Sequence, residues 1–215
     1  MRFAPRYTTY IGKLIAKQIP LVGGVLELGS GDGFQTLKII SPQPRFTCIE
    51  QSPTQGETLL GLGYKVSKNL TEHIGSNSKV LFSLNCLEHI QDDLGALRII
   101  HDSLAPGGRI VLYVPALPML FSKMDHHVGH YRRYTRKSLS AALLDAGFQV
   151  HSFEYVDSIG VITSLIYKFL PNASGKPSPR SITLYDSLFF PLSRIFDIAL
   201  RKFAGKNLLM IGERA

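Results

Sequence analysis

Two hydrophobic rhythms alternate along the chain. Continuous apolar runs stand at about residues 24–28, 45–50, 64–67, 80–84 and 109–114, each bounded by Gly, Pro or polar residues. Short runs of this kind suit strands buried on both faces of a parallel sheet. Between them the spacing is helical. Ile11, Leu14, Ile15 and Ile19 share a face over 8–19, with Lys13 and Lys17 off it, Thr8 or Thr9 as cap and Pro20 as stop. Phe34, Leu37, Ile39 and Ile40 predict a helix over 33–41, ended by Ser41-Pro42-Gln43-Pro44. Further helices are expected over 55–62, over 93–104 (started by Asp92 or Asp93, stopped by Ala105-Pro106-Gly107-Gly108) and over 136–146, capped by Thr135. Residues 148–156 read as a sixth strand, and 207–212 as a last one, antiparallel at or near the sheet edge. This alternation predicts an α/β fold, a doubly wound sheet.

The region before the last strand is different. Leu184, Leu188, Leu192, Ile195, Ala199 and Phe203 form a stripe over 183–203, with Asp186, Ser193, Asp197 and Arg201 off it. The stripe is wide enough for a core contact and is expected to pack on its own domain. Pro191 should kink or divide the helix. Residues 171–181, rich in Pro, Ser and Gly, read as a linker. The expected organisation is one domain over 1–215, with an N-terminal helix and a helical insertion over about 160–205.

Candidate chemistry starts where the first apolar run meets Glu27-Leu28-Gly29-Ser30-Gly31-Asp32-Gly33. Strand, tight turn and helix are expected here. Glycines let the backbone approach a ligand, and the helix start offers unpaired N–H groups. A carboxylate at Glu27 discourages a pyrophosphate. The third glycine comes one residue too early for the dinucleotide fingerprint. Glu50, at the end of the second strand, is placed to accept hydrogen bonds from ribose hydroxyls. That supports an adenosine ligand without separating NAD from S-adenosylmethionine.

The glycine stretch resembles motif I of the class I S-adenosylmethionine-dependent methyltransferases, (Glu/Asp)-x-Gly-x-Gly-x-Gly. Asn85-Cys86-Leu87-Glu88-His89-Ile90 resembles that family's segment after strand four, and Leu104-Ala105-Pro106-Gly107-Gly108-Arg109 its turn before strand five. The three segments, in order, carry the resemblance over about residues 20–156. Lys79 departs from it, standing where the family usually has aspartate. The resemblance implies a Rossmann-like seven-stranded sheet of order 3-2-1-4-5-7-6 and S-adenosylmethionine as cofactor. It implies that Glu27, Gly29, Ser30, Gly31 and Gly33 hold the amino-acid end, that Glu50 with Gln51 holds the ribose, and that Asn69, Asn85 and Leu87 complete the cofactor site. Cys48 and Cys86, on strands that flank strand one in this order, should be free thiols.

Asp125-His126-His127-Val128-Gly129-His130-Tyr131-Arg132-Arg133-Tyr134 resembles a bacterial subgroup with Asp-x-x-x-Gly-His-x-Arg-Arg-Tyr here. Methyl transfer from a sulfonium needs alignment and a base. His130 and Tyr131 are the catalytic candidates. His89, His126, Arg132, Arg133 and Tyr134 are the acceptor-binding candidates, the arginines suiting an anionic group. The competing account has Arg133 buried against a carboxylate of the fold. Glu88-His89 also resembles the end of the Glu-x-x-Glu-His metal pattern of methyltransferases of RNA 3′ ends and quinone biosynthesis. Asn85 replaces its first glutamate, so no metal is expected, and Glu88 and His89 are read as orienting the loop.

Composition narrows the picture only at the edges. The net charge of +8 admits a polyanionic partner, but no nucleic-acid module is visible. No apolar run approaches the length of a membrane span, and no signal peptide is evident, so a cytoplasmic location is expected. The acceptor is expected to be an anionic small molecule, a glycan or a lipid-linked molecule. Two alternatives stand beside a methyltransferase: a catalytically inactive cofactor-binding partner subunit, and a peripheral protein whose 183–203 helix makes weak membrane-surface contact.

Overall fold

The computed structural model describes residues 3–169 and 178–215. Seven strands, β1 (Val25–Leu28), β2 (Phe46–Ile49), β3 (Lys65–Ser67), β4 (Ser78–Leu84), β5 (Leu104–Pro115), β6 (Phe148–Val156) and β7 (Asn207–Arg214), form one sheet. Its order is β3-β2-β1-β4-β5-β7-β6. β1 to β5 pair in parallel, while β7 lies between β5 and β6 and runs antiparallel to both. This is the doubly wound, Rossmann-like α/β fold.

Both faces are covered, which is why the inner strands are continuously apolar. Leu26, Leu81, Ile110 and Leu112 point into one core with residues of α3 (Asp93–Ser103) and α5 (Arg136–Asp145). Val25, Phe82, Val111 and Tyr113 point into the other, with Ile11 and Ile15 of α1 (Pro5–Ala16). Asp92 and Thr135 cap α3 and α5 as expected. α2 spans Pro53–Gly61, and β5 follows α3 without a loop. The expected stop at 105–108 is therefore an irregular start to β5, with Gly107 at φ +71° and a register shift in the partner between Ser78 and Val80.

Two expected helices change. The one over 33–41 is only a 3-10 turn, Thr36–Lys38. Pro42 bars the preceding residue from helical geometry, and the segment is committed to other contacts. Thr36 Oγ1 donates to Glu27 Oε2 at 2.7 Å. Gly12 of α1 lies so close that an added methyl would sit 2.9 Å from the Lys38 carbonyl oxygen. The N-terminal helix starts at Pro5, not Thr8. Thr8 is inside it, bonding back to the Ala4 carbonyl. The free amides of Arg6 and Tyr7 donate instead to the carboxylate of Asp186, at 2.9 and 2.8 Å.

That bond belongs to a helical layer made of α6 (Ser158–Phe169), α7 (Pro179–Leu184), a π turn (Tyr185–Phe189) and α8 (Phe190–Leu200). Residues 171–177 of the expected linker lie outside the described residues; Ser178 caps α7 and Pro179 opens it. The π turn divides the helix just before Pro191, which has no N–H for the Ser187 carbonyl; Arg6 Nη1 donates to that carbonyl instead, at 2.7 Å. The buried face is the reverse of the expected one. Leu184, Leu188, Leu192, Ile195 and Phe203 are exposed, while Asp186, Ser193 and Asp197 are buried. Helix N-termini explain the inversion, since their amides lack intrahelical partners. Asp197 accepts from the amides of Asp157 and Ser158 at 3.0 and 2.8 Å, and Ser193 Oγ from Ile159 at 3.1 Å, so the polar stripe closes the start of α6.

Candidate functional site

Ligands of open α/β sheets bind beyond the carboxyl ends of the strands. The glycine loop lies there, after β1. Its three glycines do different work. A methyl on Gly29 would meet Cys86 Sγ at 2.5 Å, and one on Gly33 would meet Leu59 Cδ2 at 2.9 Å, so both are needed for packing. A methyl on Gly31 would meet nothing within 4 Å. Gly31 (φ +59°) alone faces open space, a floor on which a ligand can lie.

Glu50 borders that floor. Its Oε2 accepts from the Gly31 amide at 2.9 Å and its Oε1 from the Ser52 amide at 2.8 Å. Each oxygen keeps a lone pair for a ligand hydroxyl. Glu27 is buried beneath the loop, with Thr36 as its partner, and burial pushes its carboxyl up to about 7 against the hydrogen bonds of Thr36 and Ser30. Ser30 is buried, Gln51 exposed. Asn69 is exposed and forms a capping box with Glu72. Asn85 takes a left-handed conformation (φ +47°), which Asn tolerates, with its amide on the Tyr113 carbonyl at 2.8 Å. The Leu87 side chain is in the core, so only its backbone is available to a cofactor. Cys48 and Cys86 are free, and burial pushes both thiols up to about 12.

The second half of the site gathers around Asp125. It lies in α4 (Lys123–Val128), a short helix capped by Ser122. Asp125 is 1% exposed and accepts from His130 Nδ1 at 2.8 Å, Arg133 Nε at 2.8 Å, Arg133 Nη2 at 3.1 Å, and the Ser122 amide and hydroxyl at 2.9 and 3.2 Å. Burial alone would raise its carboxyl, but these donors outweigh it and hold it far below the usual carboxylate range. Arg133 is therefore spent on the fold, as the competing account held, and is not free for an acceptor. Arg132 likewise pairs with Asp93 and donates to the Gln91 carbonyl at 2.6 Å. Tyr134 is a core residue whose hydroxyl donates to Asp93 at 2.8 Å. Of the candidates on this tract, His126 for the acceptor and Tyr131 for catalysis are exposed.

His130 faces Glu88 and His89 on its other side. Its Nε2 is 3.8 Å from Glu88 Oε1, and its ring meets the His89 ring edge-on at 4.6 Å. Glu88 is 0% exposed, and neither carboxylate oxygen has a hydrogen-bond partner among the described residues. Burial pushes its carboxyl up to about 8, only partly opposed by its own backbone amide, which is too poorly aligned for a hydrogen bond, and by the charge of Arg133. His89 is pushed down by partial desolvation and by His130.

A methyltransferase-domain family profile matches residues 2–152, well over half of the chain. The chain belongs to the class I S-adenosylmethionine-dependent methyltransferases. The cofactor of this family member is S-adenosylmethionine. No curated protein matches its sequence. Solved structures match its fold. A SAM-dependent methyltransferase of Archaeoglobus fulgidus has TM-score 0.64 at 16% identity, over 96% of this chain and 94% of that one. The 1,6-didemethyltoxoflavin-N1-methyltransferase of Burkholderia thailandensis, with S-adenosylhomocysteine bound, has TM-score 0.60 at 17% identity, over 97% and 78%. The [4+2]-cyclase SpnF has TM-score 0.61 at 17% identity, over 96% and 81%, so this fold also carries other chemistry.

Sequence reasoning gave Asp125, Glu88 and Asp93 no place among the cofactor, catalytic or acceptor candidates, although the structure sets all three against those candidates. The signal for Asp125 was its place at the head of the His-x-Arg-Arg-Tyr tract. For Glu88 it was the glutamate–histidine pair after β4. Nothing local marked Asp93 as the partner of both Arg132 and Tyr134.

Proposed function

We propose that this methyltransferase-family protein transfers the S-adenosylmethionine methyl group to an acceptor held between the glycine loop and His130. The observation that carries this reading is the open floor above Gly31, bordered by the Glu50 carboxylate. Gly29, Gly31 and Gly33 hold the amino-acid end of the cofactor and Glu50 the ribose; Glu27 acts from beneath, keeping the loop in shape. His130, backed by Asp125, is the acceptor-activating residue, with Tyr131 beside it. Titration calorimetry tests the cofactor half. S-adenosylhomocysteine should bind and NAD should not. Gly31→Val, still folded by circular dichroism, should abolish binding, and Glu50→Ala should weaken it by about 1–3 kcal/mol through unpaired hydroxyls. NAD binding at comparable affinity would sink the assignment. A methyl-labelled cofactor offered with pools of small metabolites, glycans and lipids tests the acceptor half.

A specific observation favours a lipid-linked acceptor met at a membrane surface. The only acids between Ser158 and Lys206 are Asp186 and Asp197, and both are buried as helix caps. What the helical layer exposes is apolar and basic: Ile162, Ile166, Ile195, Phe196 and Ile198 beside Lys168, Arg180 and Arg201. That surface complements an anionic bilayer. None of the described helices is long and apolar enough to cross a membrane. Sedimentation should find the protein with phosphatidylglycerol vesicles and not with phosphatidylcholine vesicles, and Ile195→Asp should release it. A concentration-dependent dimer lost in Ile195→Asp, without vesicle binding, would replace lipid by a second copy.

A further inference from the structure

We propose that Glu88, His89 and His130 bind one divalent transition-metal ion of the Zn²⁺ type, with Asp125 orienting His130. The three side chains come from two segments, the 3-10 turn Leu87–His89 after β4 and the loop after α4, and their ligand atoms all lie within 4.8 Å of one another. The sequence offers only a truncated metal pattern, since Asn85 stands where a further glutamate would be; the third ligand is one the fold supplies.

Glu88 is the first argument. A carboxylate removed from water and given no donor is costly, and proteins rarely leave one so. Among the described residues both of its oxygens are without a hydrogen-bond partner, although Arg133 and Ser122 are close enough to Asp125 to satisfy that neighbouring acid. A cation between Glu88 and the histidines supplies the missing partner.

His130 is the second. Asp125 already accepts from Arg133 and is an acceptor only, so the 2.8 Å contact puts the His130 proton on Nδ1. The Nε2 lone pair is then left 3.8 Å from a Glu88 oxygen. Two lone pairs facing each other need a proton or a metal ion between them, and 3.8 Å is too long for a hydrogen bond but suits two ligands of one ion. A carboxylate behind a histidine is the usual support for a metal-bound imidazole, fixing its tautomer and raising its basicity.

The donor set names the ion. Two imidazoles and one carboxylate suit Zn²⁺ and related first-row ions, whereas Mg²⁺ and Ca²⁺ take oxygen ligands. Three protein ligands leave coordination positions open, and the exposed His89 gives an entry path. The site lies beside the cofactor loop, because Cys86, which packs on Gly29, immediately precedes the turn that carries Glu88 and His89. Given the methyl-transfer reading above, the open position takes an acceptor hydroxyl. The bound hydroxyl loses its proton to water, and its oxygen attacks the sulfonium methyl carbon. The carbon–sulfur pair returns to sulfur and S-adenosylhomocysteine leaves.

The test uses the untagged full chain, stripped with chelator and titrated with Co²⁺ and Zn²⁺, with Co²⁺ absorption reporting the ligand field. One equivalent should bind, unopposed by equimolar Mg²⁺. Glu88→Gln and His89→Ala should weaken binding 100-fold or more, and Asp125→Asn about 10- to 100-fold. His127→Ala and His151→Ala, at exposed histidines, should change nothing. Gln matches Glu88 in size and in the metal-free protein leaves no buried carboxylate to neutralise, so the stripped variant should melt no lower than the stripped parent while losing the metal-induced rise. Equal affinity of parent and Glu88→Gln overturns the proposal, as does loss of binding in the His127 or His151 variants. Calorimetry with S-adenosylhomocysteine is run in parallel. Cofactor binding without metal binding overturns this inference alone, and metal binding without cofactor binding overturns only the methyl-transfer reading.

Discussion

At the scale of the residue, Glu27 shows how a motif position can serve the fold before the ligand. Its carboxyl is raised from 4.5 to about 7, chiefly by burial. Between those values the folded chain keeps a proton that the unfolded chain has released. The stabilising contribution is therefore full below about pH 4.5 and is lost as pH rises to about 7. Glu27→Gln should then raise stability at pH 8, by at most on the order of 3 kcal/mol, and have little effect near pH 4.5. Urea denaturation at the two pH values checks this. A variant less stable than the parent at pH 8 would mean that the ionised carboxylate is well solvated or paired. The glycines divide in the same way. Gly29→Ala should cost stability, because its methyl would collide with Cys86 at 2.5 Å and sit at φ +76°. Gly31→Ala meets no atom and should cost only the strain of its φ, about 1–2 kcal/mol. Thermal melts of the two variants separate packing from ligand space.

At the scale of the element, the Asp125–Tyr134 tract is a folding unit as much as a site. Arg133 joins the loop to α4 through a bidentate, buried ion pair. Removing one partner of such a pair strands the other, at a cost of about 3–5 kcal/mol. Arg133→Ala should therefore lower the melting temperature, and Arg133→Lys should recover only part of it, because lysine lacks the planar fork. If Arg133→Ala melts with the parent but loses turnover, Arg133 touches the acceptor after all. The caps behave similarly. Asp197→Ala should release the start of α6 and destabilise the chain by about 1–2 kcal/mol, measured by denaturant titration. Helices with a clear cap and stop, such as α3 and α5, were legible from their own residues. The segment after Gly33 was not. Its apolar spacing is helical, but Pro42, Thr36 and the approach of α1 leave it a single 3-10 turn.

At the scale of the whole molecule, β7 and the helical layer set the shape of the C-terminal half. β7 pairs with β5 on one side and β6 on the other. Ending the chain at Lys206 should expose both edges and give insoluble protein. Exposed substitutions such as Ile198→Ser should instead leave the melting temperature nearly unchanged, within about 0.5 kcal/mol of stability. A large loss on that change would show that the apolar face packs against something within the chain.

The sequence by itself determined the sheet, its order through the family resemblance, the caps of α3 and α5 and the glycine loop. These rest on local physics: runs of apolar residues, glycine's freedom at positive φ, and capping side chains next to the amides they serve. Only the tertiary structure decided which face of 183–203 is buried. Amphipathicity shows that two faces differ, but not which one meets the helix starts, where the unpaired amides of α1 selected Asp186 and those at the start of α6 selected Ser193 and Asp197. It also decided that Arg132, Arg133 and Tyr134 serve the fold, and that Glu88, His89 and His130 converge. Except for Arg133 and Asp125, which share one tract, those partners are far apart along the chain, and pairing over such separations is set by where the strands end.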